Sequence, residues 1–127
     1  MPDIREYILE DGRSPFAVWF HKLEARAAAK VAVAKIKLVG GQFGNLKAVG
    51  EGVSEYRIDY GPGYRVYLGR DGAELVILLG GGDKTSQSED IAEAKRLWKE
   101  YKHRKAMEKK AAAAGTASPV KGKRDKR

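Results

Sequence analysis

Residues 52–70, "GVSEYRIDYGPGYRVYLGR", read as two short strands joined by a turn at Gly61-Pro62-Gly63. Alternation puts Tyr56, Ile58 and Tyr60 on one face, matched by Tyr64, Val66 and Leu68 from the second strand. A three-residue loop predicts Tyr60 opposite Tyr64, Ile58 opposite Val66 and Tyr56 opposite Leu68. On the other face it sets Asp59 against Arg65 and Arg57 against Tyr67. Arginine is costly to bury without a partner. Two arginines in the middle of a sheet therefore predict a face left open for an anion.

The flanking sequence supplies the rest of a small α+β domain. "IREYIL", residues 4–9, predicts a first strand. Ser14 is a good helix N-cap and Pro15 suits the first helical position. Phe16, Trp19, Phe20 and Leu23 then form an apolar stripe at helical spacing. A second helix over 26–39 turns Ala27, Val31, Ala34 and Leu38 inward, ringed by Lys30, Lys35 and Lys37, and Gly40-Gly41 ends it. Residues 42–52 read as a loop. Beyond the hairpin, Asp71-Gly72 predicts a two-residue turn into "ELVILL", a strand apolar on both faces. In that register Val76 and Leu78 share the face of Arg57 and Arg65. Ser86 and Glu89 have capping-box spacing at the start of a last helix, whose stripe is Ile91, Ala94, Leu97, Trp98 and Tyr101. That helix is expected to cover only part of the arginine face.

The net charge of +8 is unevenly placed. Residues 102–127 hold ten Lys/Arg against Glu108 and Asp125, whereas residues 1–101 are balanced, fifteen basic to fifteen acidic. Nucleic-acid binding by the fold must therefore rest on particular cations, not on the isoelectric point. The predicted organisation is a domain over 1–105 and a basic, disordered tail over 106–127. There is no cysteine, and His21 and His103 lie on different predicted helices, so neither a thiolate site nor a metal site is expected. No cofactor is expected either. No apolar run is long enough to span a bilayer and no signal peptide is evident, so the expected location is the cytoplasm. The "GGGD" at 80–83 lacks the spacing and the Lys-Ser/Thr of a nucleotide loop and reads as a strand end.

The cations that could converge are Arg57, Arg65, Lys84 and Lys47, with Lys35 and Lys37 on the second helix as further RNA contacts. Tyr67 offers a ring for stacking or a hydroxyl for hydrogen bonding. The stretches "GRSPFAVWFHKL", "GNLKAVGEGVSEYRIDYGPGYRVYL" and "LVILLGGGDKTSQSEDIAEAKRL" resemble the RelE/ParE toxin superfamily, in its HigB-like, phage-related addiction-module killer branch. The resemblance covers about residues 4–101. It implies a β-α-α-β-β-β-α order, with a small, mainly antiparallel sheet, two helices on one face and a C-terminal helix on the other.

It also implies a toxin that cuts mRNA on the ribosome without a metal and is restrained by a cognate antitoxin, often a small helix-turn-helix protein. In such ribonucleases the RNA 2′-hydroxyl attacks the adjacent phosphate, so charge on phosphorus must be stabilised and protons moved. Arg65 after Tyr64 matches the third-strand arginine, Lys84 stands where a second cation follows the fourth strand, and Arg57 matches one basic position of the second strand. Asp59 replaces the other, and Asp90 or a neighbour stands where the best-studied pattern has a tyrosine. The base is therefore open between Asp59, Asp90 and Lys84. These departures also leave room for a non-enzymatic, ParE-like inhibitor of DNA gyrase.

Overall fold

In the computed structural model, which describes residues 2–114, the chain runs β1 (Asp3–Glu6), α1 (Pro15–Phe20), α2 (Ala25–Val39), β2 (Leu46–Gly50), β3 (Val53–Ile58), β4 (Tyr64–Asp71) and β5 (Leu75–Asp83). A single 3-10 turn (Lys84–Ser86) leads into α3 (Gln87–Ala113). The fold is α+β. Its five strands form one mixed sheet in the order β1-β5-β4-β3-β2, with β1 parallel to β5 and every other pair antiparallel.

α1 starts as the sequence predicts: Ser14 Oγ accepts from the Ala17 amide at 3.0 Å with Pro15 at the first helical position. α2 is capped by a residue the sequence reading did not single out, the Glu24 carboxylate, which accepts from the Arg26 and Ala27 amides. The four predicted inward residues of α2 are its buried ones: Ala27, Val31, Ala34 and Leu38. Val31, Ala34 and Leu38, with Phe16, pack on Tyr56, Ile58, Val66, Leu68, Val76 and Leu78, one face of the sheet. On the other face α3 lays Ala94, Leu97 and Trp98 against Tyr7, Val53, Tyr67, Ile77 and Leu79. Trp98 stacks on Tyr101 at 5.0 Å between ring centroids, a contact adding about 0.5–1.5 kcal/mol beyond its area.

Five expectations are corrected. The segment read as a loop contains β2, an edge strand with only Leu46 and Val49 partly buried, whose three-residue spacing hides it from an alternation test. The β3–β4 register is shifted by two residues, pairing Tyr56 with Val66 and Arg57 with Arg65, because the connection takes five residues rather than three. An even shift keeps every side chain on its predicted face. The β4–β5 register is shifted by three, since Asp71 pairs with Leu75 across a three-residue turn. That odd shift moves Val76 and Leu78 to the α1/α2 side and gives α3 Ile77 and Leu79 instead. Finally, Ser86 makes no side-chain cap: its hydroxyl donates to Asp90 Oδ2 at 2.6 Å, while Asp83 accepts from the Thr85 amide. α3 also continues through 106–113, past the predicted end of the domain, and the remaining tail residues 115–127 lie outside those described.

Glycine lets α3 sit this close. A Cβ at Gly69 would run into the six-membered ring of Trp98. Gly69→Ala should therefore displace Trp98 and cost about 1–3 kcal/mol, read as a lowered denaturation midpoint; an unchanged midpoint would mean that Trp98 is not seated there.

Candidate nucleic-acid interface

β2 covers the edge of β3 only from Val53 to Tyr56, so the strand emerges bare at Arg57 and Ile58. A groove of about 690 Å³ opens between this edge, the start of β4 and the outer flank of α2. Arg57 and Arg65 reach it from the strands and Lys30 and Lys37 from the helix, with Asp59 the one acid in its lining. Tyr64 contributes a half-buried ring. Four cations against one carboxylate suit an extended anion better than a neutral ligand.

Arg57 and Arg65 are cross-strand partners, an arrangement that like charges disfavour. The structure divides their roles. Arg57 is exposed, whereas Arg65 is only 7% exposed and turns its Nε to within 3.6 Å of Glu55 Oε1. Glu55 is itself 1% exposed and accepts from Gln87 Nε2 at 3.1 Å. The far end of the guanidinium, Nη1, donates to the Gly63 carbonyl at 3.3 Å, on the groove side. Sequence reasoning missed Glu55 because the predicted register gave Arg65 to Asp59. The available signal was Glu55 itself, a carboxylate at an inward-facing strand position with no other reason to be there.

Lys84 opens the 3-10 turn at the same end of the sheet, since Tyr64 pairs with Asp83. It is exposed but stands beside the groove and does not line it. The neighbouring Asp83 carboxyl is held below its usual range, first by the Thr85 hydroxyl, then by the Thr85 amide, with Arg65 adding a smaller pull. Asp90 is half-buried under its bond from Ser86, and its carboxylate occupies the space a Cβ on Gly82 would need. The triglycine at 80–82 thus admits Asp90, and at Gly81 the ring of Trp19. Lys47 is exposed on β2, opposite Glu55. Lys37 lines the groove, but Lys35 lies over the Phe16 ring at 5.5 Å, on another flank of α2. His21 and His103 are exposed and stand apart from this cluster.

The open ring expected of Tyr67 is corrected. It is 0% exposed beneath α3, and among the described residues its hydroxyl has no hydrogen-bond partner. Burial, then the Glu55 and Asp90 carboxylates, push its pKa up to about 12. It neither stacks on a base nor moves a proton near neutrality. No group of three His, Cys, Asp or Glu among the described residues could hold a metal ion, and no described helix is long and apolar enough to cross a membrane.

No family model matches the chain. A protein of Haemophilus influenzae, described as an uncharacterized protein, is 49% identical over 86 residues, covering 67% of this chain and 87% of that protein. The chain belongs to that protein's family. Identity at this level over so much of the relative implies that the two share a fold.

Chemically, the groove offers a fixed guanidinium edge from Arg65, a free one from Arg57 and two ammonium groups, enough to hold consecutive phosphates. The buried pair behind it has a measurable signature. Glu55→Ala should cost about 3–5 kcal/mol, because it leaves the Arg65 charge inside without a counterion; a loss below 1 kcal/mol would mean Arg65 simply swings out to solvent. Tyrosine gives a second readout. An unfolded phenol ionises near 10, whereas Tyr67 and Tyr101 are both raised to about 12, chiefly by burial. Their contribution to stability is complete below about pH 10 and disappears as pH climbs through 12. Denaturant midpoints across that window should fall for the parent and fall less for Tyr67→Phe; identical slopes would place the Tyr67 hydroxyl in water.

Proposed function

We propose that this protein is a growth-inhibiting toxin of the RelE/ParE type, HigB-like branch, acting as a metal-independent endoribonuclease on mRNA held by the ribosome. The observation that carries this reading is the opposed Arg57–Arg65 pair, one side chain free and one braced, at the mouth of a groove with four cations. The order of elements, with two helices on one sheet face and a long helix on the other, supports it.

In this reading the RNA backbone lies along the groove with the reacting phosphate against Arg57 and the outer edge of Arg65. The 2′-oxygen attacks phosphorus, the bond to the 5′-oxygen breaks, and a 2′,3′-cyclic phosphate and a 5′-hydroxyl result. The arginines take up the negative charge that grows on the phosphoryl oxygens. Asp59, exposed in the groove, is better placed than Asp90 to accept the 2′-hydroxyl proton, since Asp90 is engaged by Ser86. Lys84, exposed beside the groove, is the candidate to protonate the departing oxygen. The antitoxin would dock on the outer side of α2, where Val33, Ile36 and Val39 are exposed beside the groove. A cytoplasmic site of action accompanies this function.

One observation favours a second reading. Glu55 neutralises much of the Arg65 charge, and Asp59 puts a carboxylate among the groove cations, which suits binding without cleavage. That is the ParE-like reading, a gyrase inhibitor. Primer extension on mRNA from expressing cells separates the two. Cleavage predicts new 5′ ends inside translated codons, reduced about 100-fold or more by Arg57→Ala with the fold intact. No new ends, together with inhibition of purified gyrase in a supercoiling assay, would replace the first reading with the second.

A further inference from the structure

α3 carries a second cationic feature, away from the groove. Lys95, Lys99, Lys102 and Lys109, with Ala106 between the last two, follow each other at steps of four, three, four and three residues. At 3.6 residues per turn these five positions stay within about 40° of one line along the helix, and at 1.5 Å per residue the line is about 21 Å long. The acidic residues keep off it. Glu93 and Glu100 bind Arg96 on a different face, with the closest contact 2.7 Å, and Glu108 is rotated well away.

The stripe lysines are largely unclaimed. Lys95 meets Glu51 at 3.5 Å, but that carboxylate is 72% exposed and such a pair contributes little. Lys102 stands 5.9 Å from the Trp98 ring centroid, which leaves its ammonium at the surface. Lys99 and Lys109 are exposed and in no ion pair among the described residues. Lys105 binds Asp71, and beyond it residues 106–113 are exposed throughout, with Lys110 adding a cation beside the stripe. Alanine, lysine, glutamate and methionine, all strong helix formers, keep this projecting length helical without packing.

We propose that the lysine stripe of α3 is a second binding surface, which tracks a nucleic-acid phosphate backbone without reading its sequence. A row of ammonium groups one to two turns apart, only Lys95 of them in an ion pair and that one exposed, matches a regular polyanion. A lipid surface would need an apolar face to enter the headgroup boundary, and beyond Tyr101 the helix offers only Met107 and alanines. The surface is independent of the groove: it supplies affinity, and the groove supplies whatever chemistry follows.

Counterion release makes this measurable, because each phosphate contact contributes about 0.7–0.9 to the slope of log affinity against log salt. The full chain is titrated with a 20-nucleotide RNA hairpin, a DNA duplex of similar length and vesicles containing phosphatidylserine, from about 50 to 200 mM salt. The quadruple variant Lys95→Gln/Lys99→Gln/Lys102→Gln/Lys109→Gln should bind the hairpin with a slope shallower by about 3. Ala106→Lys, which completes the stripe and cannot unfold the helix, should steepen the slope by about 0.7–0.9. Preference between hairpin and duplex then identifies which nucleic acid the stripe serves. Parallel slopes for parent and both variants, no binding by the parent at the lowest salt, or tighter binding to the vesicles would each overturn the proposal. Arg57→Ala keeps the two surfaces apart: if it abolishes cleavage while hairpin affinity persists, both readings stand. If it leaves cleavage intact, the groove mechanism fails while the stripe remains.

Discussion

The Glu55 carboxylate allows two arginines to lie across from each other on adjacent strands. Without it, Arg57 and Arg65 would repel at close range, and the inner one would be a bare charge under a helix. With it, Arg65 stays inside and Arg57 goes to solvent. Gln87 then ties the same carboxylate to the first residue of α3, so the ion pair also fixes where that helix begins. Gly82 and Asp90 complete the fit one turn on, where carboxylate fills the place of a missing side chain. The groove and the helix on the opposite face of the sheet are thus coupled through one buried carboxylate, and a disturbance on either side reaches the other.

Where burial and capping dominate, the fold was legible in the sequence. Ser14-Pro15, the four inward residues of α2 and the apolar stripe of α3 all follow from spacing alone, because each packs on a broad apolar surface that fixes its phase. Strand register was not legible. Turn lengths set it, and here both connections are longer than their Gly-Pro-Gly and Asp-Gly signals suggest. The even error in the first hairpin left faces intact; the odd error in the second exchanged them, moving Val76 and Leu78 into the opposite core. β2 was missed for a different reason. An edge strand needs little apolar content, and its backbone hydrogen bonds leave no mark in composition.

The candidate site shared this mixture. Arg57, Arg65, Asp59 and Lys37 meet in one groove, as residue type and position suggested. Tyr67 and Glu55 could be assigned only with three-dimensional knowledge of what α3 covers, since one is an aromatic under the helix and the other the acid that takes Arg65 in place of Asp59, four positions further along. Lys35 shows the limit of sequence proximity: two residues from Lys37 on the same helix, it serves an aromatic ring on another flank. The neutrality of residues 1–101 also takes on physical content. With cations and anions in equal number there, the groove and the outer line of α3 stand out against a background that is balanced as a whole.

β1 is the outermost strand, yet it hydrogen-bonds to β5, parallel and some seventy positions further along the chain. On a ribosome β1 is made before β5 and has no strand to pair with until Leu78 has cleared the exit tunnel. Contacts separated by so much chain are closed late and slowly. For that interval Ile4 has only the α1/α2 part of its core to rest on and Tyr7 lacks Ile77 and α3, whereas the β3–β4 hairpin, whose partners are near in sequence, can assemble without them. β1 is therefore made well before β5 and is among the last strands to reach its native partner, so the nascent sheet stays open on that side until β5 has been synthesised.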